Sequence, residues 1–156
     1  MRIWMDYGTF YVHLGEWTGT NAHDDVSTFE FTTRGELMEW NPHGTITVSS
    51  GMRMGELTVN VSVTADSPAP AVLLEDQELD EITVRPTGRR ISLTGFTDGY
   101  DVDAELPEST SGLYRVRLVA TGRAMDLEEP DERFDFLIWP VTSEEPRELR
   151  QLKMLS

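Results

Sequence analysis

Apolar residues at every second position recur along most of this chain, and that period of two limits its folds more than any other feature. In the clearest stretch Leu57, Val59, Val61, Val63 and Ala65 alternate with Thr58, Asn60, Ser62 and Thr64, which describes a strand with one face in a core and the other in water. The same alternation marks Phe10 to Leu14, Phe29 to Phe31, Ile46 to Val48, Ile82 to Val84 and Ile91 to Leu93. It returns at Tyr100 to Leu106, Tyr114 to Ala120 and Phe134 to Ile138, so about nine or ten strands are expected. Turn-forming residues separate them at Asn41 to Gly44, Ser49 to Gly55, Pro68 to Pro70, Thr87 to Gly88, Asp98 to Gly99 and Pro107 to Gly112. Strands with one apolar face must bury it against a second such face, roughly 10 Å away. The expected fold is therefore all-β, a two-sheet antiparallel β-sandwich.

One segment departs from this period. From Ser143 a capping serine precedes Glu144 and Glu145, basic residues follow, and Leu149, Leu152 and Leu155 fall at helical spacing. This predicts a β-sandwich domain over residues 1–142 and a short C-terminal helical tail over 143–156. Ser67 to Asp80, with Pro68, Pro70 and an acidic run, reads as a long loop inside that domain, near the upper length for an unstructured connection, where function often resides.

Composition narrows the function classes. Cysteine is absent, which removes disulfides, thiolate metal ligands and a cysteine nucleophile, and fits a reducing cytoplasm. No basic segment followed by a continuous apolar run opens the chain, so a signal peptide is not expected, and no apolar window approaches the roughly 20 residues of a membrane span. The formal charge is -15, from 28 acidic and 13 basic side chains. Such a chain repels phosphate backbones and anionic lipid, which argues against nucleic acid and membranes and favours a basic protein partner. Nineteen of the 28 acids lie from Leu74 onward.

The motifs of common catalysis are missing: there is no phosphate-binding glycine loop, no Gly-x-Ser-x-Gly elbow and no His-Glu-x-x-His pair. His13, His23 and His43 are far apart, and only His23 has adjacent carboxylates, Asp24 and Asp25, that could orient it. No catalytic residue, metal ligand or cofactor is assigned, and an enzyme is not expected. The acidic residues carry the functional reading. Asp101, Asp103 and Glu105 share one face of an expected strand, about 7 Å apart. They read as a solvated strand face or as a contact surface for arginine and lysine; their spacing does not match the twelve-residue calcium loop. Three acidic loops are expected as well: Glu75, Asp76, Glu78, Asp80 and Glu81 in the first, Glu105 to Glu108 in the second and Asp126 to Asp135 in the third. Together they suggest one continuous negative surface able to steer a basic partner. Trp17, between Glu16 and Thr18, is the tryptophan to test for exposure.

Two stretches resemble a known group. Ile3 to Val12, with its Tyr-x-x-Phe-x-Val pattern, resembles the first strand of the competence protein J family of bacterial nuclease inhibitors. Ile91-Ser92-Leu93, Leu106-Pro107, Gly112 to Arg117 and the strand Phe134 to Trp139 resemble its closing part, and Tyr114-Arg115-Val116-Arg117 with Trp139-Pro140 is similar to segments of small actinobacterial proteins. The resemblance implies an all-β protein that binds and silences a nuclease or another toxin. Residues and resemblance converge on an acidic inhibitor or immunity-type protein, its partner contacts made by Glu75, Asp76, Glu78, Asp80, Glu81, Asp101, Asp103 and Glu105. The alternatives are a β-sandwich that binds sugar or calcium, and an oligomeric structural component that pairs strand edges between copies.

Overall fold

The structure is a computed structural model and describes residues 1–6, 8–15, 37–41, 44–51, 54–95, 99–123 and 132–141. Its described regular structure is all β. In chain order the strands are β1 (Arg2–Asp6), β2 (Thr9–Leu14), β3 (Met38–Asn41), β4 (Thr45–Ser49) and β5 (Met54–Val63). They continue with β6 (Gln77–Val84), β7 (Arg90–Thr94), β8 (Gly99–Glu105), β9 (Tyr114–Thr121) and β10 (Arg133–Pro140). The expected strands at Phe29 to Phe31, the tail helix over 143–156, and Trp17, His23 and His43 lie outside the described residues.

Pairing runs β3-β4-β2-β1-β5-β10-β9-β6, with β7 against β2 and β8 against β7. The path folds over at the β1–β2 turn, where the two strands share only the pair Asp6 and Thr9. Beyond that point β7 takes up the same edge of β2, pairing Tyr11 to Leu14 with Thr94 to Ile91. One layer is therefore β6-β9-β10-β5-β1 and the other β3-β4-β2-β7-β8, a sandwich-like arrangement. The junction is tight: a Cβ on Gly95 would stand 1.9 Å from the Trp4 carbonyl oxygen, so only glycine lets β7 end against β1.

The alternation read from the sequence places the core. Phe134, Phe136 and Ile138 of β10 face inward beside Val116, Leu118 and Ala120 of β9 and Leu57 and Val59 of β5. Phe10, Val12 and Leu14 of β2 face them, and the Phe10 ring meets Phe134 and Phe136 edge-on with centroids 5.0 and 6.3 Å apart. Burial of these side chains is the main favourable contribution to folding.

Two expectations are corrected. The fold is mixed rather than purely antiparallel, because β5 and β10 pair in parallel from Thr58 with Arg133 to Val63 with Ile138. Parallel neighbours need a long crossover, and the chain supplies one between β5 and β10 through β6 to β9. Second, the loop expected to reach Asp80 ends earlier, since β6 begins at Gln77 and zips onto β9 from Gln77 with Thr121 to Val84 with Tyr114. The shortened connection, 64–76, crosses the outer face of the first layer, where Arg117 Nη1 donates to the Ala69 carbonyl at 2.9 Å. Beneath it the Arg117 guanidinium lies 5.1 Å from the Trp139 ring centroid, and Trp139 packs with Leu113, Leu137 and Val141 in a small second cluster.

Candidate functional site

Among the described strands β8 is the last of the second layer, paired with β7. Its period of two turns Tyr100 and Val102 toward the core and leaves Asp101, Asp103 and Glu105 exposed on the other face. The register against β7 slips between Arg90 and Ser92: Arg90 opposes Glu105, whereas Ser92 opposes Asp101. Four steps along β8 thus match two along β7, and the strand bulges at 102–104, which carries Asp103 outward between its two acidic neighbours. Arg90 Nη2 lies 2.8 Å from Asp101 Oδ1, with both side chains about two-thirds exposed. Asp103 and Glu105 have no ion-pair partner among the described residues.

Inward from this rim the same face turns polar and buried. Thr9, Tyr11 and His13 of β2 alternate with Phe10, Val12 and Leu14, and the register sets His13 between Thr45 of β4 and Ser92 of β7. His13 is buried, with Nδ1 2.9 Å from Thr45 Oγ1 and Nε2 2.8 Å from Thr94 Oγ1. A neutral imidazole donates from one nitrogen and accepts at the other, and a hydroxyl can do either, so two threonines satisfy it in its uncharged form. Burial lowers its pKa from 6.5 to about 4. The Tyr11 ring stacks on it at 6.4 Å, and burial raises the Tyr11 pKa.

Between rim and buried row lies a cavity of about 250 Å³ lined by Gly15, Arg90, Ser92, Gly99, Tyr100 and Asp101. Gly15 in its lining has to be glycine: its φ is +116°, and a Cβ there would meet Thr87 Oγ1 at 2.0 Å and the Gly88 nitrogen at 2.7 Å. Ser92 belongs to both features, since it lines the cavity and opposes His13.

The acidic run from Glu75 to Glu81 fares differently from its reading as a loop. Glu75 and Asp76 are exposed in the turn before β6. Glu78 forms a two-pronged ion pair with Arg123, at 2.5 and 3.0 Å, with both side chains largely covered. Glu81 bridges Arg115 at 2.8 Å and Arg117 at 3.1 Å on the outer face of the first layer. Asp80 is fully buried; it accepts from the Met38 backbone N–H at 3.0 Å and the Glu81 N–H at 2.9 Å, tying β3 to β6 across the layers. Three of these five carboxylates are thus engaged inside the fold.

The expected acidic surfaces also part company. Among the described strands β6 ends the first layer beside β3 and β8 ends the second beside β5, so Glu75 and Asp76 lie at the opposite edge from Asp101, Asp103 and Glu105. The stretch 126–135 reaches the described residues only at Glu132 to Asp135, where Glu132 is buried and accepts from Ser50 Oγ at 2.5 Å. No group of three His, Cys, Asp or Glu side chains among the described residues is arranged to hold a metal ion. No helix among them is long and apolar enough to cross a membrane.

Sequence reasoning missed the His13 row. Its signal was parity: His13 shares its face with Thr9 and Tyr11, and Thr45 and Thr94 likewise alternate with Ile46 and Leu93. No protein-family model, no curated protein and no solved structure matches the chain.

Proposed function

We propose that this chain binds a basic protein through the exposed carboxylates of β8, as an inhibitor or immunity-type protein that covers the cationic site of a nuclease or other toxin. One observation carries the reading: Asp101, Asp103 and Glu105 stand exposed on one face of β8, the last of the described strands in its layer, with Arg90 bound to the first and no ion-pair partner for the other two among the described residues. Carboxylates held in a row can replace phosphates against arginine and lysine, and the net charge of -15 draws a basic surface to them. Glu78, Asp80 and Glu81, bound inside the fold, act in stability; Glu75 and Asp76 remain available to a partner at the other edge. No cofactor is needed.

The test is parallel affinity capture with the native chain and an Asp101→Lys/Asp103→Lys/Glu105→Lys variant, at low and then moderate salt, followed by nuclease assays of the captured protein with each chain added. A basic protein held by the native chain, released by salt, inhibited by the native chain and ignored by the variant is the expected result. An empty column, or equal capture by both chains, would overturn it.

A further inference from the structure

Val72 is 90% exposed and Leu74 64%, two of the four large hydrophobic side chains left in solvent among the described residues, and both sit on the strap between β5 and β6. Single exposed apolar residues are ordinary. Two within the unbroken run Ala71-Val72-Leu73-Leu74, beside the exposed Glu75 and Asp76, are not, since consecutive apolar residues at a surface favour association.

The strap holds this run in a fixed shape. Pro68 and Pro70 restrict the backbone on either side of Ala69, whose carbonyl is bound by Arg117. Past the tip, the Leu74 N–H donates to Gln77 Oε1 at 2.8 Å, the Gln77 N–H returns to the Leu74 carbonyl at 3.2 Å, and the Gly122 N–H donates to the Asp76 carbonyl at 3.1 Å. Arg117 is in turn fixed by Glu81. An apolar tip tied down on both sides gives up less conformational entropy on docking than a free loop would.

We infer that the strap is a second contact surface for a protein partner, with Val72 and Leu74 entering an apolar pocket and Glu75 and Asp76 pairing with lysine or arginine on its rim. Charge complementarity selects this occupant: two carboxylates directly after the apolar pair disfavour an anionic bilayer and a second copy of so acidic a chain, and favour a basic rim. The inference rests on the proposed basic partner and adds an apolar anchor at the edge opposite β8. An interface with an apolar centre and a charged margin is the usual anatomy of specific association.

The probe is a phage-displayed random peptide library selected on the full chain, with a Val72→Ser/Leu74→Ser variant as counter-target. Both side chains are exposed, so the variant keeps its melting temperature, which differential scanning calorimetry checks. Enriched peptides are expected to combine bulky apolar residues with arginine or lysine and to bind the variant about tenfold or more weakly, the loss of two anchors of this size. Peptides that bind both chains equally, or no enrichment, would overturn the inference. So would sedimentation showing native self-association that the variant lacks, because the occupant would then be a second copy. Binding that follows the β8 carboxylates and ignores the strap sinks this inference alone. Binding that needs the strap but not β8 sinks the β8 reading.

Discussion

Acid should unfold this protein partly through one imidazole. In the folded chain the neutral His13 imidazole takes up its second proton only near pH 4, while in the unfolded chain its pKa returns to 6.5. Between these values the unfolded chain binds more protons, so the folded state loses stability as pH falls through the window; above about pH 7 the contribution is complete and flat. The gap of about 2.5 pH units, at roughly 1.4 kcal/mol per unit, makes the full loss on the order of 3 kcal/mol. That is a large share of the 5–15 kcal/mol or so that holds a typical domain together. Urea unfolding by circular dichroism from pH 8 to 4.5 at constant ionic strength measures it, with His13→Gln as the non-titrating reference. Subtracting the variant's profile removes the carboxylates common to both chains. The difference should steepen toward one proton below pH 6.5, with an unchanged urea slope. Equal pH dependence in both chains, or an NMR imidazole signal that titrates near 6.5 and is absent from the His13→Gln spectrum, would refute the reasoning.

Three substitutions test the packing. Asp80→Asn leaves a single acceptor oxygen where the Met38 and Glu81 N–H groups need two, and turns an amide donor toward one of them; it should cost about 2–4 kcal/mol in chemical denaturation, and a loss below about 1 kcal/mol would count against the β3–β6 tie. Gly95→Ala drives a methyl into the Trp4 carbonyl and should cost about 1–3 kcal/mol or more while altering tryptophan fluorescence. Glu81→Gln removes the shared counter-charge of Arg115 and Arg117 and should lower stability by about 1–3 kcal/mol; increased protease sensitivity near Ala69 would show that the strap loosens with it.

Much of the fold was legible because each long strand buries one face, so the period survives in the sequence from Leu57 to Val63 and from Tyr114 to Ala120. β1 and β3 escaped the pattern because five and four residues leave too few repeats to stand out. The start of β6 was hidden for another reason. Glu78, Asp80 and Glu81 look like solvated charge in one dimension, and only pairing with β9 brings Arg115, Arg117 and Arg123 to two of them and a β3 amide to the third. Those partners are 34 to 45 residues away along the chain from Glu78 and Glu81, beyond the reach of any local pattern. The parallel pairing of β5 with β10 is invisible for the same reason.

Net charge has the same weakness as a guide to function, because it sums over groups whose fates differ. Of the eight carboxylates that sequence reasoning singled out, Asp80 is buried, and Glu78 and Glu81 are spent on arginines inside the fold. Asp101 shares an exposed ion pair of the kind that stabilises little and gives way to a competing cation. What remains to act at a distance is Asp103 and Glu105 on one edge and Glu75 and Asp76 on the other. Of these eight carboxylates, the ones open to a partner are therefore half, and they stand at two separate edges. Only one of the two sites sets apolar residues beside its charges, so charge reversal on β8 should act mainly on association rate and salt dependence, and truncation of the strap on dissociation.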